Sequence, residues 1–343
     1  MTLAVVILAA GQGTRMKSKT QKILHEVGGK PMVQHVFDAA ESIADLPPVV
    51  VVGRGEKGVG ALFGNRAAYV VQQEQLGTGH ATQMARPILN GKADQVLVTY
   101  GDMPLLRAST MQRLANEQQA AGAAVALLSI LGDPGSSFGR VIRDADGKVT
   151  EIVEVAEARQ RPNSKELLAV RELNVGVYCF DGDWLWDNIG RLPKRQARSG
   201  QEYYLTDMIE AAVTQGQDVV ALSIDDADEC LGAGTRSELA LVEKAFRHRA
   251  NRHWLNHGVT LVDPDSIYID QDVIIGKDTI IWPGSYIQGT SVIGQDCIVG
   301  PNTIIRQAHL GDGCIVEQAQ VENTSLAEGT HVRPFTWING DES

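Results

Sequence analysis

Short apolar runs alternate with stretches of helical period over the first two thirds of the chain. The runs are rich in Val and Ile, and they fall at Leu3 to Ala10, Val49 to Val52, Ala67 to Val71, Val96 to Tyr100, Val125 to Ile130 and Val175 to Phe180. Segments with helical spacing, such as 32–44 and 109–121, lie between them. Strands that alternate with helices usually form a parallel sheet covered on both faces. The pattern therefore predicts an α/β domain with a mostly parallel sheet.

The period changes to six residues beyond Asp263. One aliphatic residue occurs at each step, at Ile269, Ile275, Ile281, Ile287, Ile293, Val299 and Ile305. A fixed hexad of this kind is typical of a parallel β-helix, in which each step is one flat side of a triangular coil. The alternative is a chance run of Ile in an ordinary sheet. The register weakens after Ile305, because Leu310 comes early, but Ile315, Val321 and Val332 suggest further irregular coils.

A helix of about 235–257 is predicted between these two regions, with Val242 and Phe246 on its apolar side. His253 and His257 are four residues apart on it, a spacing that can hold a metal ion. No carboxylate accompanies them on that face, so a solvated helix end is the alternative interpretation. The predicted organisation is a first domain over 1–225, a linker helix over 226–257 and a β-helix over 258–343.

Composition narrows the function classes. The chain has 343 residues with 31 Lys and Arg against 42 Asp and Glu, a formal charge of −11, which argues against broad nucleic-acid binding. The first apolar run is too short to span a bilayer and lacks the basic flank of a signal peptide. The four cysteines never stand in a CxxC spacing, so a disulfide framework is not expected and a reducing cytoplasm fits.

The first predicted strand leads into a glycine-containing turn with the sequence Leu8-Ala9-Ala10-Gly11-Gln12-Gly13-Thr14-Arg15-Met16, and Lys22 follows after a polar loop. Backbone amides in such a turn can approach a phosphate closely. Arg15 and Lys22 add positive charge where a triphosphate would lie. The spacing alone is also compatible with a plain strand-to-helix turn.

Further motifs follow in order along the chain. They are Gln72 before Glu74-Gln75-Leu76-Gly77-Thr78-Gly79-His80, then Tyr100-Gly101-Asp102-Met103-Pro104-Leu105, Phe138-Gly139-Arg140, Ile152-Val153-Glu154, Leu173-Asn174-Val175-Gly176 and Glu202-Tyr203-Tyr204-Leu205-Thr206-Asp207. With the first turn, these motifs resemble those of the sugar-1-phosphate nucleotidylyltransferases. The chain is similar in particular to the uridylyltransferase half of the bacterial bifunctional GlmU-type enzymes. The resemblance implies a Rossmann-like nucleotidyltransferase domain followed by a short left-handed parallel β-helix of hexapeptide repeats.

The resemblance also implies a role for each matching residue. Arg15, Lys22 and Asp102 would be the catalytic residues, with Asp102 as a ligand of Mg²⁺. The substrate-binding residues would be Leu8, Ala9, Ala10, Gly11, Gln72, Gly77, Thr78, Tyr100, Gly101, Gly139, Glu154 and Asn174. Among these, Gly139, Glu154 and Asn174 would hold the sugar, and the uracil would contact the first turn together with Gln72, Gly77 and Thr78. The implied substrates are UTP and N-acetylglucosamine 1-phosphate, and the implied product is a UDP-sugar made in the cytoplasm.

Three departures from the family pattern stand out. Gly234 occupies the position of an Asn that completes the metal site in the family, so it is not expected to be a ligand. Gln21 stands where a proline often precedes the lysine. The repeats also end near Ile338, before the region that carries acetyl transfer in the family, so that activity is expected to be absent. His309 and His331 are read as exposed turn residues.

Three further hypotheses remain open from the sequence. One keeps the fold but changes the substrate, for example to glucose 1-phosphate or dTTP. Another is a non-catalytic protein that binds a sugar nucleotide, which the glycine at position 234 motivates. The third treats the β-helix as an assembly module, since members of this family form homotrimers through it. No membrane or nucleic-acid partner is expected.

Overall fold

The computed structural model describes residues 1–55, 58–197 and 200–340, without the side chain of residue 197. The chain divides into two compact units. The first comprises Met1–His25 and Met32–Glu238, and the second comprises Glu26–Pro31 and the residues from Leu239 onward. The predicted ends of the first domain at residue 225 and of the linker helix at residue 257 remain predictions.

The first unit is built on one sheet. Its strands are β1 Leu3–Ala9, β4 Val49–Gly53, β5 Ala68–Gln72, β6 Gln95–Tyr100, β7 Val125–Leu131, β8 Arg140–Arg143, β9 Val149–Val153, β10 Glu172–Asp181 and β13 Val219–Ile224, and a separate hairpin is formed by β11 Arg195–Ala197 and β12 Gly200–Glu202. The strand order of the sheet is β13-β7-β10-β6-β1-β4-β5, and β8 and β9 attach at β10. The pairs β1–β6, β1–β4, β4–β5 and β13–β7 are parallel, which confirms the mostly parallel sheet. Strand β10 runs antiparallel to both of its neighbours in that order.

The helices are α1 Met32–Glu41, α2 Val59–Phe63, α3 Thr78–Gln83, α4 Arg86–Leu89, α5 Ala108–Ala121, α6 Val155–Ala158, α7 Ser164–Ala169, α8 Gly182–Asn188, α9 Asp207–Thr214 and α10 Arg236–Asn256. Short 3₁₀ turns cover Thr14–Met16, Lys22–Leu24, Gly64–Arg66, Ile189–Arg191, Ala227–Cys230 and Pro264–Ser266. No helix in the described part of the chain is both long and apolar enough to cross a membrane.

Apolar cores cover both faces of the central sheet. Alternate residues of a strand point to opposite faces, so Val5 and Ile7 join a core with Phe37, while Val6 joins another with Trp186. Strands buried on both faces read as continuous apolar runs. This is why β1 and β4 were visible in the sequence.

The second unit is a parallel β-helix. Its strands are β14 Thr260–Leu261, β15 Tyr268–Ile269, β16 Ile274–Ile275, β17 Ile280–Ile281, β18 Tyr286–Gln288, β19 Val292–Ile293, β20 Ile298–Val299, β21 Ile304–Arg306, β22 His309–Leu310, β23 Ile315–Val316, β24 Gln320–Glu322, β25 Ser325–Leu326, β26 His331–Val332 and β27 Trp337–Asn339, and the hairpin β2 Glu26–Val27 and β3 Lys30–Pro31 belongs to the same unit. Every third strand of the β-helix pairs in parallel, which gives three sheets, one for each side of the coil.

The predicted hexad aliphatics fill the interior of this β-helix. All seven from Ile269 to Ile305 are buried. Small polar residues such as Ser285 and Thr303 accompany them, and their buried hydroxyls donate to backbone carbonyls. The irregularity after Ile305 arises because Leu310 pairs directly with Ile293, so this coil is one residue shorter than the preceding ones. In the next coil Val316, and not Ile315, faces the core.

Candidate functional site

The first cleft lies where parallel strands end. Strand β1 ends at Ala9 and β6 ends at Tyr100, and the register pairs Leu8 with Tyr100. Asp102 follows two residues after β6. Ligands of open α/β sheets bind outside the carboxyl ends of the strands. The fold therefore brings together residues that are about ninety positions apart in the sequence.

This first cleft has a volume of about 510 Å³. It is lined by the predicted residues Leu8, Ala9, Ala10, Gly11, Lys22, Gln72, Gly77, Thr78, Tyr100 and Asp102. Gly101 lies behind them, with its amide donating to the Leu8 carbonyl at 3.0 Å. The sequence interpretation gave no role to Gln12, Ile23, Gln75, Ala81 and Glu202, which also line the cleft. Gln75 belongs to the Glu74 to His80 motif, so the motif pointed to this residue although no role was assigned to it.

Polar contacts shape the wall of the first cleft. The Gln75 amide donates to the Ala10 carbonyl at 2.6 Å, and the Gln72 amide donates to the Gly77 carbonyl at 3.1 Å. Gly77 has a φ of 93°, and a Cβ there would lie 2.6 Å from the Tyr203 carbonyl oxygen. Only glycine fits this backbone and this close approach.

Lys22 and Asp102 form an ion pair in the first cleft, between Nζ and Oδ2. Each side chain keeps about a fifth of its surface exposed, at 19% and 20%. Gly13 permits this position of Lys22, because a Cβ at residue 13 would collide with the Lys22 Cβ. An ammonium beside a carboxylate in one cleft can serve phosphate and a divalent cation respectively.

Arg15 is exposed and does not line this cleft. Its guanidinium lies against Gly234, where a Cβ would collide with it. The Gly234 amide donates to Glu238 Oε2 at 2.8 Å, and the Ala233 amide donates to the Asp102 carbonyl at 3.2 Å. The loop that carries Gly234 thus packs against Asp102.

The residues around Asp102 fit a hard divalent cation only in part. The Asp102 carboxylate is a suitable oxygen ligand. Position 234 offers no side-chain oxygen, and no group of three or more His, Cys, Asp or Glu in the described ranges could hold a metal ion. A cation at Asp102 would take its other ligands from phosphate and water, which Mg²⁺ accepts readily.

A second cleft of about 560 Å³ shares Thr78 and Tyr100 with the first. It is lined by Thr78, Tyr100, Gly135, Ser136, Ser137, Glu154, Val155, Ala156, Arg159, Asn174, Tyr178, Tyr204 and Thr206. Glu154 follows β9, and Asn174 lies on β10. Gly139 stands behind the wall, where its carbonyl accepts from the Asn174 amide at 2.9 Å.

Buried polar groups give the second cleft its character. The Asn174 side-chain amide donates to the Tyr178 hydroxyl at 2.7 Å, and its oxygen accepts from the Gly176 amide at 3.1 Å. Burial raises the pKa of Glu154, Glu157 raises it further, and the positive charge of Arg140 opposes both. Burial also raises the pKa of Tyr100 well above its usual range. These hydroxyl, amide and carboxyl groups can exchange hydrogen bonds with a sugar.

The histidine pairs lie in the second unit. The His253 and His257 rings stack at 4.0 Å, and His257 Nδ1 lies 2.7 Å from the His253 carbonyl oxygen. His309 and His331 are exposed, but they lie on β22 and β26 and not in turns. His331 Nε2 is 3.7 Å from the Glu317 carboxylate.

Two family models match the chain. The MobA-like NTP transferase domain matches residues 5–170, and the bacterial transferase hexapeptide of six repeats matches residues 272–307. The second match identifies the β-helix as the left-handed kind that hexapeptide repeats form.

Curated relatives match across both units. The bifunctional protein GlmU of Exiguobacterium sibiricum is 42% identical over 333 residues, which cover 97% of this chain and 73% of that protein. The bifunctional protein GlmU of Enterococcus faecalis is 40% identical over 97% of this chain and 71% of its own length. That of Bacillus velezensis is 39% identical over 98% of this chain and 73% of its own length.

A solved structure shares the fold. The CMP:2-keto-3-deoxy-manno-octonic acid synthetase complexed with CTP matches with a TM-score of 0.52 and 18% sequence identity. The match covers 74% of this chain and all of that chain. At this identity the similarity concerns the fold alone.

Proposed function

The chain belongs to the GlmU family and is a nucleotidyltransferase, and we propose that it transfers UMP from UTP to N-acetylglucosamine 1-phosphate, forming UDP-N-acetylglucosamine and pyrophosphate. One observation carries the proposal: two clefts of different chemistry share Thr78 and Tyr100. The first has a glycine-containing turn and a Lys–Asp pair, which suit a nucleoside triphosphate. The second has amide, hydroxyl and carboxyl groups, which suit a sugar.

In this proposal the first cleft binds UTP. The backbone from Leu8 to Gly11, together with Gln72, Gly77 and Thr78, holds the uracil. Tyr100 completes the binding surface, and Gly101 supports it from behind through its hydrogen bond to Leu8. Lys22 binds the phosphates inside the cleft, and the exposed Arg15 binds them from outside it. The close backbone approach at Gly77 and the Gln72 contact to its carbonyl support a rigid recognition wall.

The second cleft binds the sugar phosphate. Glu154 accepts hydrogen bonds from sugar hydroxyls, and Asn174 acts on the hydroxyl and acetamido groups. Gly139 behind the wall leaves room for the Glu154 carboxylate in its place, since a Cβ there would lie 3.0 Å from Ile152 Cγ2 and 3.2 Å from Glu154 Oε1. Because Asn174 already bonds Tyr178 and the Gly176 amide, its remaining N–H and lone pair are oriented before the sugar arrives.

The reaction is an in-line displacement at the α-phosphorus of UTP. A phosphate oxygen of the sugar 1-phosphate forms the new P–O bond, the bond to the β-phosphate oxygen breaks, and pyrophosphate leaves with that electron pair. The attacking phosphate is already anionic near neutral pH, so no general base is required. Positioning and charge neutralisation supply the rate enhancement.

Lys22 and Arg15 supply positive charge for that neutralisation, and Asp102 supplies a carboxylate that can hold a cation. Mg²⁺, when bound, would offset negative charge on the α-phosphate and on the leaving pyrophosphate. Asp102 is the residue that would hold it. The same carboxylate contacts the Lys22 ammonium, so a cation held by Asp102 would leave Lys22 free to bind phosphate.

A pyrophosphate-release assay tests the function directly. With UTP and Mg²⁺, we expect turnover with N-acetylglucosamine 1-phosphate to exceed that with glucose 1-phosphate, and UTP to exceed dTTP. Preference for another sugar phosphate or nucleotide would keep the enzyme class and change the substrate. No pyrophosphate with any pair of substrates would refute the proposal.

We also propose a homotrimer assembled through the β-helix, and a cytoplasmic location. The hexapeptide match supports the first and the family the second. Light scattering should give three times the 37.0 kDa chain mass, and a mass of one chain would exclude the trimer. That residues 1–343 catalyse no acetyl transfer remains a prediction, which an assay with acetyl-CoA and glucosamine 1-phosphate checks.

A further inference from the structure

Arg140 is a buried cation beside the second cleft. It begins β8, where it pairs with Val153 of β9 and Leu173 of β10, and only 1% of its surface is exposed. Burying a guanidinium is costly unless its donors and charge are compensated. Its Nε has no hydrogen-bond partner in the part of the chain that the structure describes. The contacts of its other donors show what this buried guanidinium holds in place.

The Nη1 and Nη2 donors of Arg140 form hydrogen bonds with one loop. Nη1 donates to the Phe138 carbonyl, and Nη2 donates to the carbonyls of Pro134 at 2.5 Å and Ser136 at 3.3 Å. These are alternate residues of the segment 134–138. A planar guanidinium with a fixed fork of donors can hold several carbonyls at once, whereas an ammonium on a flexible stem is a point donor.

That same loop forms part of the wall of the second cleft, through Gly135, Ser136 and Ser137. At the end of this loop Phe138 packs on the apolar core, and the Gly135 and Ser136 amides turn back to Asp133. Between these anchors, the carbonyl contacts of Arg140 fix where the serines lie relative to the cleft.

Arg140 also acts on Glu154, across the cleft wall. Burial raises the pKa of Glu154, and the positive charge of Arg140 lowers it. Glu157 and Asp207 face the same carboxyl and oppose Arg140. The guanidinium thus favours the ionised carboxylate, which is the better hydrogen-bond acceptor.

We propose that Arg140 is a positioning residue of the sugar-phosphate cleft: it holds the 134–138 wall in place without touching the substrate. This inference rests on the proposed function of the cleft. It assigns a role to the Arg of the Phe138-Gly139-Arg140 motif that is separate from the room provided by Gly139.

The test compares Arg140→Met and Arg140→Lys with the control Arg143→Met. Arg143 lies on the same strand but forms a surface ion pair with Glu172 and does not line the cleft. For Arg140→Met we expect the KM for the sugar phosphate to rise about tenfold or more, as for the loss of several charge-assisted hydrogen bonds. The KM for UTP should stay within about twofold, and the control should match the wild type.

Two further readouts separate positioning from general damage. Hydrogen exchange in the peptide 133–139 should be faster in Arg140→Met than in the control. The rise of the sugar-phosphate KM toward acid should begin at a higher pH in Arg140→Met, because Glu154 has lost a stabilising charge. Arg140→Lys keeps the positive charge but not the forked donors of the guanidinium. We therefore expect its pH profile to match the wild type and its sugar-phosphate KM to lie between those of the wild type and Arg140→Met. If Arg140→Met does not fold, Arg140→Lys decides by the sugar-phosphate KM and the exchange rate.

A sugar-phosphate KM or an exchange rate equal to that of the control would overturn the proposal. An equal rise in both KM values would also overturn it, since that indicates general destabilisation. These outcomes differ from failure of the proposed function, which is signalled by a wild-type protein that turns over no sugar 1-phosphate.

Discussion

The two clefts are built from different materials. The first is formed by the ends of parallel strands and by glycine-containing turns, and the turn from Leu8 to Gly11 and Gly77 are part of its lining. The second stands on the antiparallel strands β8, β9 and β10 and on the loop 134–138, and Glu154 and Tyr178 are part of its lining. Glycine turns present backbone to a ligand, and backbone contacts remain when a side chain is replaced. We therefore expect single substitutions to affect the second cleft more, with Asp102 as the main exception in the first.

Asp102→Ala should have the largest effect of any change in the site. Its carboxylate lies beside the Lys22 ammonium and can hold a cation, so we expect kcat to fall by at least ~10³-fold, the scale found for lost charge stabilisation. Pyrophosphate release at saturating substrates measures this. Asp218→Ala, at an exposed position, is the control. A loss below about tenfold would show that the first cleft works through its backbone and its cations alone.

Glu154→Gln tests the second cleft. The amide keeps the shape but loses the charged acceptor, so we expect the KM for the sugar phosphate to rise by about 10- to 50-fold with little change in the KM for UTP. Glu151→Gln on β9, the strand that Glu154 follows, weakens an ion pair with Arg161 outside the cleft and is the matched control. Equal changes in both KM values would break the distinction between the clefts.

The pH dependence sharpens the same test. Because burial raises the pKa of Glu154, its carboxylate becomes protonated at a higher pH than an exposed Glu would. As pH falls through that raised pKa, the wild-type KM for the sugar phosphate should rise. In Glu154→Gln this component should vanish, and the ionisation of the sugar phosphate itself, common to both proteins, should remain.

The same contrast explains what could be predicted from the sequence. Local rules predict the strands β1, β4 and β6 and the interior of the β-helix. A strand buried on both faces is a continuous apolar run, and a repeated coil has a fixed period, so both patterns are visible in consecutive residues. The turn after β1 is marked by glycines directly after an apolar run, whereas the role of Asp102 after β6 came from the resemblance to a family.

The second cleft depends on contacts that no local pattern encodes. The antiparallel direction of β10 and the hairpin of β8 and β9 decide which residues meet there. Glu154 and Asn174 were found only by resemblance to a family. The burial of Arg140 against three carbonyls was not predicted, because an Arg next to a glycine reads as a surface residue until the fold encloses it. The shift from Ile315 to Val316 has the same origin, since coil length is set by turns.

Gln75→Ala examines whether the first cleft is as tolerant as its backbone suggests. The change removes the 2.6 Å contact to the Ala10 carbonyl, so we expect the KM for UTP to rise by about 3- to 10-fold, the worth of one hydrogen bond. The KM for the sugar phosphate should not change. Gln73→Ala, two residues earlier and outside this cleft, is the control. A rise in the UTP KM above about 50-fold would make Gln75 as decisive as Glu154 and weaken the contrast.

Gly234→Asn should give the smallest effect, and it asks whether the first cleft lacks a ligand. A Cβ at residue 234 would collide with the Arg15 guanidinium, which can swing away because it is the end of a flexible, exposed side chain. The new amide oxygen would stand on the loop that packs against Asp102, so we expect the Mg²⁺ concentration for half-maximal rate to fall by about 2- to 5-fold, as for one added ligand partly offset by the loss of Arg15 from its place. Calorimetric titration with Mn²⁺ measures the cation directly, apart from turnover. Gly234→Ala separates the two effects, since it displaces Arg15 without adding an oxygen. Equal cation affinity in Gly234→Asn and Gly234→Ala would mean that Asp102, phosphate and water already satisfy the metal.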